Sequence, residues 1–245
     1  MFARLRAKRP GTASVAQLLF YEAGRAFVWV IWKTFWRFRQ VHPERLPAEG
    51  PVLIVANHQS YLDPVSLTLG ARQRHVDFLA RAGLFKNPFF RWLITALNAV
   101  PLAEGRPDAA ALKTVIERLR LGHAVLIFPE GARTPDGAVH EFKRGFAVLA
   151  KRAECPVMPA AIEGAFDTWP KERKGPRLFG CRVAVMYGEP ISPEELLADG
   201  ADAALVRLRG EIDAMRLELR EGLRARTRGR FPRGGAGDGV RGAHA

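Results

Sequence analysis

Two short polar stretches carry the residue types that chemistry needs. The first is Asn57-His58-Gln59-Ser60-Tyr61-Leu62-Asp63, and the second is Phe128-Pro129-Glu130-Gly131-Ala132-Arg133-Thr134. On a continuous helix, a carboxylate five positions after a histidine lies about 140° around from it, on a different face. A turn between Asn57 and Asp63 is therefore needed to bring Asp63 onto one ring nitrogen of His58. The other nitrogen is then free to take a proton. That is a base with its orienting group, and no serine or cysteine nucleophile stands beside it. The same residues also describe a hydrogen-bonded structural histidine and a helix-capping aspartate. Ser60, only two residues after His58, is poorly placed to form a direct nucleophile–base pair with it.

Each stretch follows an apolar run, Val52-Leu53-Ile54-Val55-Ala56 in one case and Ala124-Val125-Leu126-Ile127 in the other. Such runs predict buried strands. In an open α/β sheet the loops at the carboxyl ends of strands form the ligand crevice, so both polar loops are expected on that edge. Further strands are expected at 76–80, 99–102, 157–162 and 182–188. Helices are expected from Pro64 to Leu69, from Leu84 to Leu97 with a fresh start at Pro88, and from Pro107 to Arg120. Others are expected at 145–151 and at about 202–220. Ser192-Pro193-Glu194-Glu195 has the form of a capping box with proline in the first turn. Strands alternate with helices, so the predicted class is α/β, a mostly parallel mixed sheet flanked by helices.

Together the two stretches resemble the glycerolipid acyltransferase family, in its 1-acylglycerol-3-phosphate acyltransferase branch. Asn57 to Asp63 is similar to that family's Asn-His-(four residues)-Asp motif, and Phe128 to Thr134 to its Phe-Pro-Glu-Gly-x-Arg-Ser/Thr motif. Phe142-Lys143-Arg144-Gly145 resembles a following Lys-x-Gly element. The strand Pro156 to Ile162 resembles a Val-Pro-like strand. Where the family shows Asp-Arg-Gly, this chain reads Ala103-Glu104-Gly105, with Arg106 one place later. The resemblance spans about residues 41–190.

It implies transfer of an acyl group from acyl-CoA or acyl carrier protein to the sn-2 hydroxyl of lysophosphatidic acid. His58 would be the general base and Asp63 its orienting group. Arg133 offers a planar fork to phosphate, and Gly131 lets backbone approach closely. Glu130 would orient Arg133 or the glycerol hydroxyl, Lys143 and Arg144 would add charge, and Arg106 would stand for the family arginine that acts on the acceptor. Backbone amides of residues 129–132 are candidates for an oxyanion hole. Acylation of another lyso-lipid, such as a lysophospholipid or lyso-ornithine lipid, is the alternative. No metal and no cofactor beyond the thioester co-substrate is implied.

The net charge of +13 suits an anionic partner. A membrane lipid, a phosphorylated acceptor or an acidic acyl carrier would fit. A nucleic acid would fit the charge too, but no known nucleic-acid-binding motif is present. Cys155 and Cys181 are the only cysteines, which excludes a disulfide framework. Residues 1–14 lack the apolar run of a signal peptide and read as a basic tail. Residues 15–39 carry Trp29, Trp32 and Trp36 among Phe20, Phe27, Phe35 and Phe38, interrupted by Glu22, Arg25 and Lys33. That composition predicts a helix lying in a membrane interface rather than a spanning one. The expected organisation is a basic N-terminus with a membrane-associating helix at 1–40, a catalytic domain at 41–221 and a disordered Arg/Gly-rich tail at 222–245. The expected location is the cytoplasmic face of the inner or plasma membrane.

Overall fold

In the computed structural model, the described residues are 14–71, 73–81, 88, 91, 99–102 and 107–239. The helix expected at 84–97 and the candidate Arg106 lie outside them. Strands β1 (Arg39–Val41), β2 (Val52–Ala56), β3 (Val76–Arg81), β4 (Ala99–Leu102), β5 (Ala124–Ile127), β6 (Val157–Glu163) and β7 (Ala184–Tyr187) form one sheet. Their order is β1-β7-β6-β2-β5-β3-β4. The pairings are parallel except β6 with β7, so β1 and β7 run against the other five. The mostly parallel, mixed α/β architecture is the one expected.

Helices cover both faces, which is why the central strands are continuous apolar runs rather than alternating ones. Every residue of β2 and β6 is buried. Side chains still alternate between faces. Ile54, Leu126 and Met158 pack in one core with α1 (Val15–Trp36) and α2 (Asp63–Gly70). Leu53, Val55, Val125 and Val157 pack in the other, with α3 (Pro107–Arg120), α4 (Gly145–Ala153) and α7 (Ala201–Thr227). Two short helices, α5 (Ala165–Thr168) and α6 (Pro193–Leu196), complete the set. The Ser192 side chain accepts from the Glu195 amide at 3.1 Å, one half of the expected capping box.

α1 is apolar on two opposite faces. Leu18, Tyr21, Val28, Trp32 and Trp36 are buried, and Trp32 Nε1 donates to Ser66 Oγ at 2.9 Å. Leu19, Phe20, Phe27 and Val30 point the other way and are exposed. The helix therefore shares the core of the catalytic sheet while presenting a second apolar stripe. No described helix is long and apolar enough to cross a membrane. α1 stops at Trp36, Arg37 takes φ 45°, and β1 follows at once. The boundary drawn at residue 40 falls inside β1 and has no structural counterpart.

The tail expected to be disordered at 222–245 is corrected by the structure over its described residues, 222–239. α7 runs on to Thr227, and residues 229–239 fold back on it. A buried carboxylate on β6 explains this order. Glu163 accepts from Arg216 at 3.2 Å and from Arg220 at 2.7 Å. Arg216 also donates to the Gly237 carbonyl, and Arg220 meets Asp238 at 2.8 Å. Charges that look like a solvated tail in one dimension thus balance a buried anion. Replacing Glu163 with alanine removes the carboxylate that the two guanidiniums share, leaving Arg216 to Asp213 and Arg220 to Asp238, and should cost about 1.5–3 kcal/mol, the worth of a charged hydrogen bond. Urea unfolding measures it; a loss below about 1 kcal/mol would contradict a stabilising role for this cluster.

Candidate active site

β2 ends at Ala56, and the chain turns sharply over the next six residues. Asn57 anchors the turn: its side chain donates to the Ile162 carbonyl at 3.0 Å and accepts the Ile162 amide at 2.9 Å. It replaces the strand-to-strand bonds that β2 can no longer make to β6. The turn delivers His58 to Asp63, the first residue of α2. His58 Nδ1 lies 2.7 Å from Asp63 Oδ2. The same oxygen accepts the amides of Gln59 at 2.5 Å and Ser60 at 2.6 Å.

Asp63 is fully buried. Burial raises its carboxyl above the ordinary value, opposed by the His58 hydrogen bond and the Ser60 and Gln59 amides. Because an ionised carboxylate only accepts, it fixes the proton on His58 Nδ1. Nε2 is left as the acceptor. The imidazole stacks on Phe128, ring centroids 4.1 Å apart and planes 18° apart, so its direction is held from below as well. Ser60 Oγ donates to the Trp169 carbonyl at 2.7 Å, which spends it on structure and not on nucleophilic attack.

The second loop closes against the first. The Thr134 amide donates to the His58 carbonyl, and the His58 amide donates to Glu130 Oε1, both at 2.7 Å. Glu130 Oε2 accepts the His140 amide at 3.2 Å. Of the two roles expected of Glu130, orienting Arg133 is corrected, since among the described residues its partners are these backbone amides; the role toward the glycerol hydroxyl concerns the substrate. Burial first, with help from Asp63 and Asp136, pushes Glu130 up to about 8 against the pull of the two amides. A neutral Glu130 removes the repulsion that a carboxylate would exert on an anionic substrate.

Arg133 instead lies over the Tyr61 ring at 3.5 Å, and its Nη1 is buried without a hydrogen-bond partner among the described residues. The stack holds the guanidinium plane while Nη1 keeps a donor unspent on the protein. Gly131 takes φ 70°, and a Cβ there would meet Lys143 Cε at 2.4 Å. Glycine is required by the backbone conformation, while the flexible end of the lysine that crosses it can move aside. The Gly131 amide is spent on the Phe128 carbonyl, which removes it from the expected oxyanion set.

The structure therefore joins His58, Asp63, Glu130, Gly131, Arg133 and Lys143 in one region at the carboxyl ends of β2 and β5. Sequence reasoning missed Tyr61 as the platform for Arg133. It also missed Gln59, which donates to Glu163 Oε2 at 3.1 Å and to the Gly137 carbonyl at 3.0 Å. His140 and Asp136 pair at 2.8 Å beside the second loop. Against partial burial, the His140 hydrogen bond and the Ala138 amide hold Asp136 down at about 2. An aromatic residue inside the first motif was the one signal that could have pointed to Tyr61.

Residues 37–163 match the Acyltransferase family. The chain belongs to that family. It is 34% identical over 175 residues to a 1-acyl-sn-glycerol-3-phosphate acyltransferase of Pseudomonas aeruginosa, covering 66% of this chain and 67% of that one. It is also 34% identical over 164 residues to a chloroplastic 1-acyl-sn-glycerol-3-phosphate acyltransferase of Brassica napus, covering 64% of this chain. The match spans about half, 46%, of that relative's length. The crystal structure of the 1-acyl-sn-glycerophosphate (LPA) acyltransferase PlsC from Thermotoga maritima superposes with a TM-score of 0.62 at 30% identity. It covers 81% of this chain and 79% of that one.

The electrostatics of this acyltransferase site predict a signature in stability. Glu130 is raised from its model-compound value of 4.5 to about 8 in the folded protein. A raised carboxyl contributes stability below its unfolded pKa and loses it as pH rises through the folded one. Glu130→Gln cannot ionise and escapes that loss. The melting temperature of the variant minus that of the parent should therefore rise from about pH 4.5 to about pH 8 and level off above. A difference that falls over this range would mean that Glu130 is held ionised.

Proposed function

We propose that this protein transfers a fatty acyl group from acyl-CoA or acyl carrier protein to the sn-2 hydroxyl of lysophosphatidic acid, giving phosphatidic acid. The observation that carries the proposal is the His58–Asp63 pair at 2.7 Å, placed beside an Arg133 whose buried Nη1 has no hydrogen-bond partner among the described residues. The acceptor hydroxyl gives its proton to His58 Nε2 as its oxygen attacks the thioester carbonyl carbon. The ester C–O bond forms, the C–S bond breaks, and the departing thiolate takes the proton from the imidazolium. Asp63 stabilises that imidazolium while it exists. The nucleophile belongs to the acceptor, so the enzyme needs none of its own. Arg133 holds the acceptor phosphate, Lys143 adds charge beside it, and neutral Glu130 lets the anion approach. The reaction draws on no cofactor beyond the thioester co-substrate.

The acceptor and product are lipids, and α1 offers the matching surface. Its exposed Leu19, Phe20, Phe27 and Val30 form an apolar stripe opposite the face that joins the core. That stripe suits burial in one leaflet, with the active site opening at an anionic membrane on its cytoplasmic face.

An acceptor panel with purified protein and both donors tests the reading. Acylation of lysophosphatidic acid ahead of other lyso-lipids is expected; preference for a different lyso-lipid would overturn the acceptor assignment. His58→Ala should lower turnover by roughly 10² to 10⁴ with an unchanged circular dichroism spectrum. Activity within about tenfold of the parent would remove His58 as base. Arg133→Lys keeps the charge but loses the planar two-point grip. Its kcat/KM for the acceptor should fall by about one to two decades, with the donor constant little changed. A raised donor constant alone would move Arg133 to the donor side.

A further inference from the structure

Four arginines without an ion-pair partner among the described residues gather away from the catalytic pair. Lys33 and Arg37 at the end of α1, Arg39 in β1, Arg182 before β7 and Arg226 in the last turn of α7 surround a depression of about 400 Å³. Phe38 and Gln40 complete its lining, and no carboxylate enters it. Several other arginines are paired: Arg45 meets Glu189, Arg207 meets Glu195 and Glu211, and Arg216, Arg220 and Arg224 meet carboxylates. Among the described residues, Arg37, Arg39, Arg182 and Arg226 have no such partner. Burial first, and then the charges of Arg37, Arg226 and Arg39, hold the Arg182 guanidinium below its ordinary value. Like charges gathered from four chain segments oppose folding, and an anion in their midst relieves the repulsion.

Position identifies the anion. Arg39 is in register with Ala184, which is in register with Glu163 at the end of β6. Arg37, Arg39 and Arg182 therefore sit at the same sheet edge as the carboxyl ends of β2 and β5, where the catalytic loops lie. β7 and β6 separate β1 from β2, a lateral distance of about 14 Å at ordinary strand spacing. That is too far for the same glycerophosphate to reach both His58 and the cluster. Beside the cluster the surface is apolar: Phe35 meets Phe179 at 5.7 Å, Phe179 is 73% exposed, and the exposed stripe of α1 leads away from Lys33. Basic charge bordering an apolar surface matches a membrane interface.

We propose that the Lys33, Arg37, Arg39, Arg182 and Arg226 cluster binds the phosphate of an anionic lipid headgroup, a second lipid distinct from the acceptor. This rests on the membrane-facing acyltransferase reading above and names the surface that seats it. The bound headgroup docks the catalytic edge of the sheet on the leaflet that holds the substrate.

Sedimentation of the full chain with phosphatidylcholine vesicles, with and without phosphatidylglycerol, tests the proposal. Arg182→Gln with Arg226→Gln should lower partition onto phosphatidylglycerol vesicles by about 25-fold, at roughly fivefold per charge removed. Partition onto phosphatidylcholine alone should not change. Arg182→Lys with Arg226→Lys should retain binding, which separates charge from a folding defect. Lys151→Gln with Arg152→Gln, in α4 and outside the cluster, removes the same net charge and should leave binding near that of the parent. Equal losses in the two glutamine pairs, or no loss at the cluster, would overturn the site. Displacement from vesicles by inorganic phosphate at constant ionic strength would overturn the headgroup in favour of a free phosphate. Acylation of a short-chain, water-soluble lysophosphatidic acid without vesicles is followed in parallel. Its persistence in the Arg182/Arg226 glutamine variant supports the proposal. Its absence from the parent would count against the acyltransferase reading alone, because vesicle binding is read independently.

Discussion

A single buried oxygen, Asp63 Oδ2, organises the site. It accepts the His58 ring and two successive backbone amides, so it sets the turn after β2 and the imidazole together. A buried carboxylate without such donors would be strongly disfavoured. Here the donors are the groups that the site requires, so the cost of burying the charge is offset by the contacts that fix the geometry. The second loop is then tied to the first through the His58 amide and carbonyl. Catalytic side chain and substrate-binding loop are therefore positioned by one backbone segment.

A second histidine–aspartate pair shows that the pairing alone is not chemistry. His123 Nδ1 lies 2.8 Å from Asp77 Oδ2, almost the same distance as in the site. That pair sits where β3 and β5 begin, at the opposite edge of the sheet, and both side chains are buried. Its further partner among the described residues is Arg118 of α3, 3.6 Å from Asp77. What distinguishes His58 is its place at the carboxyl edge and the Arg133 loop beside it.

Much of this was legible in the sequence because local pattern and tertiary role agree there. Continuous apolar runs gave β2 and β5, and the polar residues following them gave the two loops. α3 was read to the residue, since proline opens it and Gly122 lies just past its end. Legibility failed where distant segments supply the partner. Glu163 ends an apolar strand and looks like a surface residue until Arg216 and Arg220 approach from α7. The arginines of the C-terminal region read as a solvated tail for the same reason. β1 was hidden because three residues carry too little pattern, and its pairing with β7 comes from far along the chain. Tyr61 and Arg133 are 72 residues apart in numbering, and their stacking needs the closed loops to exist.

The central claim is that Asp63 acts on the reaction only through His58. A double-mutant cycle on kcat/KM for the acceptor, using His58→Ala and Asp63→Asn, measures this most directly. If the two act as one unit, the double variant should be no slower than His58→Ala alone, within about threefold, roughly the error of such additivity comparisons. Losses that multiply fully in the double variant would show that the two side chains contribute independently, and would contradict the account.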